Sequence, residues 1–383
     1  MILKILYIHS TQIDSAKANL IQVLSMCNAF EKNDVSVELV LPKPLITIDN
    51  IDKYINDKFG IEIKFNIIFY EKFSNNRIIE KYFGVKSVEK ILKETKADYV
   101  FTRLPKFISL VLKNNKKLIF ESHNSILHNK YKLLDSYWKQ RILKSLKDKN
   151  FVSFISISEN LTKYWASIGV NKKKQLSLHD GFAEDLFDKI KSKEDSRKAL
   201  NISLNEKVVM YIGSLYPDRE IENILVAAKS TPNLKYYIIG GPKEMEDKYR
   251  AMAVEMNLNN IKFLGYIPHN NVPLYLSTAD YLLALWSRKV PTINYCSPLK
   301  VFEYMASGNL IIAHDFPTIR EVLTEGKTTF FVNPDEKNDL GNVLKKVVSI
   351  NTSKIAAKSK KVVYDNYTWE KRAQSIIQNL KDE

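Results

Sequence analysis

The sequence predicts an α/β fold of two domains, each a mostly parallel sheet covered by helices. Three observations carry that prediction. Short runs rich in Ile, Val and Phe alternate with segments of helical period, the pattern of βαβ units, and they do so in both halves of the chain. The 383 residues exceed the size at which one hydrophobic core keeps growing, which favours two domains of roughly 180 residues each. In the second half, glycines stand directly after the apolar runs, where open α/β sheets bring backbone close to a ligand.

In chain order, Lys4–Ile8, Val35–Leu41, Ile63–Phe69, Tyr99–Thr102, Lys117–Phe120 and Phe151–Ile157 read as strands of the first domain. Between the first two, Ser15–Phe30 places Ala16, Leu20, Val23, Leu24, Cys27 and Phe30 on one helical stripe. Periodicity weakens after about residue 183, and the polar stretch Lys189–Lys198 is expected to be the linker. The second domain restarts with Lys207–Ile212, Leu234–Ile239, Ile261–Leu264, Tyr281–Leu285, Leu310–Ala313 and Thr329–Val332, enough for a complete second sheet. A last helix, Thr368–Leu380, opens on a Thr cap and aligns Trp369, Ala373, Ile376, Ile377 and Leu380. The expected organisation is therefore a first domain at 1–185, a second at 200–365, and a terminal helix, 366–383, that packs back on the first.

Hydrophobic content of 45% against 26% charged residues excludes a disordered chain. The apolar start, Met1–Ile8, is too short for a signal peptide, and no run of about 18 apolar residues marks a membrane span, so a cytoplasmic protein is expected. Cys27 and Cys296 fall in different halves without Cys/His spacing, which points to neither a disulfide framework nor a zinc site. The net charge of +15 is concentrated: residues 101–150 carry 12 Lys/Arg against 3 Asp/Glu. Such a concentration suits an acidic substrate, an anionic membrane surface or nucleic acid. No nucleic-acid-binding motif accompanies it, and nucleic acid is not expected as a partner. Within Asn129–Asn150, Lys130, Lys132, Lys139, Arg141, Lys144, Lys147 and Lys149 alternate with Leu133, Leu134, Tyr137, Trp138, Ile142 and Leu146. That is the composition of an interfacial amphipathic helix, so segment 129–150 is expected to place the chain peripherally at the inner face of the plasma membrane; the same apolar side also suits packing on the sheet.

The stretch from Ser297 to Gly308 is the most informative. Ser297 and Pro298 read as an N-cap and first-turn pair and Gly308 as a helix stop. The N-terminus of such a helix offers free N–H groups and the positive end of a dipole, with Lys300 in the first turn. Glu303, one turn further, suits two vicinal hydroxyls of a ribose. Together they fit a nucleoside diphosphate. They also fit ordinary caps and a surface carboxylate, so these residues alone leave both uses open.

The block resembles the donor site of glycosyltransferase family 4, the retaining group-1 enzymes with the GT-B fold, in which two Rossmann-like domains face each other across a cleft. The likeness continues through Ile311–Asp315, Pro317 and Ile319–Val322, and upstream through Tyr211–Leu215 with Arg219, Gly240-Gly241-Pro242, Phe263–Pro268 with Val272, and Ala279-Asp280. Tyr367-Thr368-Trp369-Glu370 resembles the helix with which such chains often end, while Glu121-Ser122-His123, Ser156-Ile157-Ser158 and His179-Asp180-Gly181 carry the likeness in the first half. The resemblance implies that Glu303 holds the ribose, that Arg219 and Lys300 neutralise the diphosphate, and that Gly213, Ser214, Gly241, Tyr266 and the Ser297, Pro298, Leu299 turn line the nucleotide-sugar site. It implies that His123 faces the cleft and contacts the transferred sugar or the leaving phosphate, and that His9, Ser10, Thr11 and Gln12 border the acceptor. Two positions depart from the family. Tyr295 stands where the first of two glutamates is usual, which leaves open what addresses the donor sugar, and Ser214 stands where an Arg often follows the loop glycine, which leaves Arg219 and Lys300 with the phosphate charge.

The function implied is transfer of a hexose-type sugar, with retention, from a UDP- or GDP-sugar to a glycan or lipid-linked acceptor in cell-surface polysaccharide or glycoconjugate synthesis. Neither a metal nor a cofactor is expected, because cationic side chains replace Mg²⁺. A sugar-nucleotide epimerase on the same fold and a non-catalytic nucleotide-binding relative are the alternatives.

Overall fold

The computed structural model describes residues 2–15, 18–71, 77–127 and 131–382. Two wholly parallel sheets organise them. The first contains β1 (Leu3–Ile8), β2 (Val35–Pro42), β3 (Asn66–Tyr70), β4 (Tyr99–Thr102), β5 (Lys117–Ser122), β6 (Phe151–Ser156) and β7 (Gln175–Ser177), in the order β3-β2-β1-β4-β5-β6-β7. The second contains β8 (Lys207–Ile212), β9 (Leu234–Ile239), β10 (Ile261–Gly265), β11 (Tyr281–Ala284), β12 (Leu310–His314) and β13 (Phe330–Val332), in the order β10-β9-β8-β11-β12-β13. Both are doubly wound, with the strand order reversing between β1 and β4 and between β8 and β11. Ligands of such sheets sit beyond the carboxyl ends of the strands at that reversal.

Each sheet is buried on both faces, which is why its strands read as continuous apolar runs rather than as alternating ones. Two strand expectations need correction. Pairing begins at Asn66 rather than Ile63, and the short edge strand Gln175–Ser177, with only Leu176 apolar, has too little pattern to be seen in the sequence. The helix expected over Ser15–Phe30 runs Ala18–Glu31; Ala16 lies outside the described residues.

The linker expected at Lys189–Lys198, to within about ten residues, lies just before that stretch, which is itself partly helical. Residues Lys193–Ala199 form a helix whose Arg197 is buried, donating to the carbonyls of Thr278, Ser203, Leu204 and Glu206 and pairing with Asp280 at 2.9 Å. The chain crosses between sheets earlier, at Gly181-Phe182, and returns at Tyr367-Thr368, where Phe182 N–H donates to the Tyr367 carbonyl at 3.1 Å. A Cβ on Gly181 would lie 2.9 Å from backbone atoms of that returning strand, so only glycine lets the crossings touch. After the return, the helix Trp369–Lys381 is capped by the Thr368 side chain and buries Trp369, Ala373, Ile376, Ile377 and Leu380 in the core of the first sheet. At roughly 2 kcal/mol for each large side chain, this burial fixes the terminal helix to that half.

Candidate active site between the two sheets

The second sheet supplies one wall. Beyond β8, the backbone of Gly213 passes so close to β9 that a Cβ on Gly240 would stand 1.7 Å from the Gly213 carbonyl oxygen. Gly240 has φ +140, so glycine is required there on both counts. The helix Leu299–Ser307 is held to β8 by Tyr304, whose hydroxyl accepts from Ile212 N–H at 2.9 Å and donates to the Ile212 carbonyl at 3.1 Å. That clamp carries Lys300 under Gly213: a Cβ there would lie 2.8 Å from Lys300 Nζ.

Lys300 Nζ is shielded from solvent and has no hydrogen-bond partner among the described residues. It rests 4.1 Å from the ring centre of Tyr211 and 5.0 Å from that of Trp286. Burial, and after it Arg219, brings its pKa down to about 7. An ammonium so placed is poorly compensated until an anion arrives. Arg219 lies beside it, donating through Nε to Ser214 Oγ at 3.2 Å and pairing with Asp218 at 2.9 Å. Ser214 thus orients Arg219 through its hydroxyl, and its carbonyl accepts from the Tyr211 hydroxyl.

Glu303 stands one turn along and is mostly buried. Its Oε1 meets His269 Nε2 at 2.6 Å, and His269 Nδ1 meets the Phe59 carbonyl of the other half at 3.1 Å. Both partners present acceptor oxygens, an arrangement that favours the doubly protonated ring. Burial opposes that charge, but Glu303 and the two hydrogen bonds prevail and raise the His269 pKa above its ordinary value. Asn270 adds a second tie, to the Asp57 carbonyl at 3.0 Å. Tyr266 is exposed at the rim.

The Ser297 turn departs from expectation. The helix begins at Leu299 with Pro298 in the cap position and no side-chain cap, and only the glycine stop, Gly308 at φ +73, is as expected. Ser297 Oγ instead accepts from Asp180 N–H at 2.9 Å, because the turn is pressed against the crossing segment. Tyr295 is turned to the first half: its ring lies 5.6 Å from that of Tyr164 and its carbonyl accepts from Ser158 Oγ. Glu321 reaches across as well, accepting from the N–H groups of Glu159 and Asn160 and pairing with His179 at 2.9 Å.

The first sheet supplies the facing wall. His9, after β1, is buried, and its Nδ1 accepts from Thr11 N–H at 3.1 Å; burial, then Arg103, lowers its pKa to about 3, so it is neutral. Thr11 Oγ1 accepts from Asn19, and Gln12 donates to the Lys43 carbonyl, so both loop side chains are tied to local partners, while Ser10 is half-buried. His123, after β5, is 19% exposed and paired with the fully buried Glu121. Around this pair gather Gln22, Arg103, Asp180 and Arg372, which the sequence reading did not single out as site residues. Arg372 had a signal, a charge on the buried stripe between Trp369 and Ile376. Arg103 had another, its place directly after β4. Gln22 had none.

Among the described residues, no group of three or more His, Cys, Asp or Glu is arranged to hold a metal ion. No described helix is long and apolar enough to cross a membrane. In the basic segment, the helix Lys132–Ser145 buries Ile142 and packs Leu143 and Leu146 on the core, but exposes Leu133, Leu134 and Tyr137. Asn129 and Lys130 lie outside the described residues.

With this geometry in place, the comparisons with known proteins are informative. The sucrose-phosphate synthase of Thermosynechococcus elongatus has the same fold over 99% of this chain and 98% of its own, with a TM-score of 0.78 and 16% identity. HepE of Anabaena, solved in complex with UDP and glucose, matches over the full length of both chains with a TM-score of 0.74 and 16% identity. The fold is GT-B. In sequence, the lipopolysaccharide 1,2-N-acetylglucosaminetransferase of Salmonella typhimurium is 24% identical over 218 residues, 53% of this chain, and the match spans only 55% of that relative's length. Residues 192–365, which hold the helix with Lys300 and Glu303, match the family model of glycosyl transferases group 1.

Proposed function

We propose that the chain is a glycosyltransferase that binds a UDP- or GDP-sugar on the second sheet and passes a hexose-type sugar, with retention, to a glycan or lipid-linked acceptor held mainly by the first. The carrying observation is Lys300, a buried ammonium without a hydrogen-bond partner among the described residues, beside Arg219 and with Glu303 one helical turn along. A diphosphate is the ligand such a cation lacks, and Glu303 Oε2, free of described partners, suits a ribose hydroxyl. Departure of the nucleoside diphosphate builds negative charge on its leaving oxygen, where Lys300, Arg219 and the uncapped helix start lower the barrier most. No metal is required in this account, and activity is expected to survive EDTA. HepE in complex with UDP supports nucleotide binding at this fold.

Thermal unfolding with UDP, GDP and ADP tests the donor site. One nucleotide raises the midpoint in the wild type and fails to do so in Glu303→Ala; a Glu303→Ala protein stabilised as strongly as the wild type sinks the assignment. Consumption of donor without acceptor would indicate the epimerase instead. We further propose an acceptor presented at an anionic membrane surface, met by Leu133, Leu134 and Tyr137 with the surrounding lysines in a salt-sensitive way. Flotation with vesicles containing phosphatidylglycerol tests this, and no binding at low salt contradicts it.

A further inference from the structure

A chain of buried charges in the first-sheet wall ends on His123. Glu121 Oε2 accepts from Arg372 Nη2 at 2.8 Å, and Glu121 Oε1 accepts from His123 Nε2 and, at 3.2 Å, from Gln22 Nε2. Arg372, in the first turns of the terminal helix, in turn donates to the carbonyls of His179 at 2.9 Å and Leu178 at 3.3 Å, just before the outgoing crossing. Burial opposes the Glu121 charge, but Arg372, followed by His123 and Arg103, outweighs it and holds the pKa well below the usual carboxylate range. An ionised carboxylate only accepts, so the proton of this bond sits on His123 Nε2.

The amide of Gln22 agrees with that assignment. Its oxygen accepts from Arg103, so its nitrogen faces the carboxylates and its two protons serve Glu121 and, at 2.9 Å, Asp180. With Glu121 claiming the His123 Nε2 proton, the 3.2 Å approach of Gln22 Nε2 to His123 Nε2 brings two donors together. The charged and titratable groups around His123 and its partner are Glu121 at the end of β5, Arg103 after β4, His9 after β1, Arg372 on the terminal helix and, through Gln22, Asp180, whose pKa burial raises to about 7. Burial, then Arg103, against the pull of Glu121, lowers the His123 pKa to about 4, so the ring is neutral near pH 7. Its Nδ1 bears a lone pair, and no described residue donates to it.

We propose that Arg372 and Glu121 are positioning residues: together they hold His123 as the neutral Nε2–H tautomer, so that Nδ1 accepts a hydrogen bond from a hydroxyl of the sugar or the acceptor and cannot donate one to the departing diphosphate. The terminal helix is therefore part of the site's machinery as well as of its core. The kinetic part rests on the transferase reading; the tautomer does not.

The test is side-chain ¹⁵N NMR of the labelled full chain, with His123→Gln to assign the signal. It is run on the wild type, on Glu121→Gln, and on Glu121→Gln/Arg372→Met, which removes both buried charges at once and so leaves neither alone in the fold. The wild type is expected to show a protonated Nε2 and a bare Nδ1 from pH 6 to 8, and the variants a mixture of tautomers. Turnover should fall about tenfold or more, the stabilisation by nucleotide should not change, and Arg372→Lys should keep the tautomer. A wild-type Nδ1–H form or imidazolium overturns the proposal, as do folded variants with unchanged tautomer and turnover, or a loss of nucleotide binding in step with turnover. Absence of transfer by the wild type with every donor strikes the transferase reading, while the NMR result still decides the tautomer.

Discussion

The two walls of the cleft treat charge in opposite ways. On the first sheet, Arg372 and Glu121 are both buried and answer each other at 2.8 Å, with Gln22, Arg103 and His123 completing the set. On the second sheet, Lys300 is equally shielded and has no described hydrogen-bond partner. A paired buried network is rigid and costly to break, whereas an unpaired buried cation is a local instability that a ligand relieves. On the function proposed above, the first wall orients and the second receives an anion.

Charge-removing substitutions on the two sides should therefore diverge. The largest expected effect is on turnover: Lys300→Met should lower transfer by about 10²–10³-fold, yet leave the unliganded protein as stable as the wild type or more so. An unfolding midpoint that drops with Lys300→Met would break the comparison. On the other wall, Arg372→Met alone strands Glu121 and should destabilise the fold by about 3–5 kcal/mol, read from denaturant unfolding; a change under about 1 kcal/mol would mean that water already reaches the pair.

Gly240→Ala sharpens the geometric side. Its Cβ meets the Gly213 carbonyl at 1.7 Å and its φ is positive, so the backbone over Lys300 must shift, at a cost on the order of 1–3 kcal/mol. Nucleotide binding should weaken with it, measured by titration calorimetry.

Smaller effects come from pH. Lys300 has a folded pKa of about 7 against an ordinary value of 10.5, so between those values the unfolded chain binds the extra proton and stability rises with pH. Unfolding followed from pH 7 to 9 should show a gain in the wild type that Lys300→Met lacks. His269 has the opposite sign: its pKa is raised, so its contribution is full below its ordinary value of 6.5 and is lost as pH rises through the folded value. His269→Gln should flatten that loss.

The same contrast governs what was legible in the sequence. Ser297 to Gly308 is contiguous, so the helix with its lysine and glutamate could be read in one window, and the glycine stop is where it was expected. What failed there was the role of Ser297, because the partner that claims its hydroxyl, Asp180, lies 117 positions away. The facing network joins Gln22, Glu121 and Asp180 to Arg372 on the terminal helix, with Glu121 and Arg372 separated by 251 positions, and no local pattern announces such a set. Tyr295 shows the limit of resemblance. It replaces the usual first glutamate, and only the fold shows that its ring packs across the cleft against Tyr164. The strands were clear because a sheet buried on both faces writes itself as unbroken apolar runs; the edge strand Gln175–Ser177 is the exception that lacks them.

The most direct measurement is titration calorimetry of UDP, GDP and ADP into the wild type and Lys300→Met at pH 6, 7 and 8.5. The account predicts that one nucleoside diphosphate binds, that its affinity falls as pH rises past 7 and Lys300 loses its proton, and that Lys300→Met binds weakly at every pH. A wild type that binds none of the three, or a Lys300→Met protein that binds as tightly and with the same pH dependence, would contradict it.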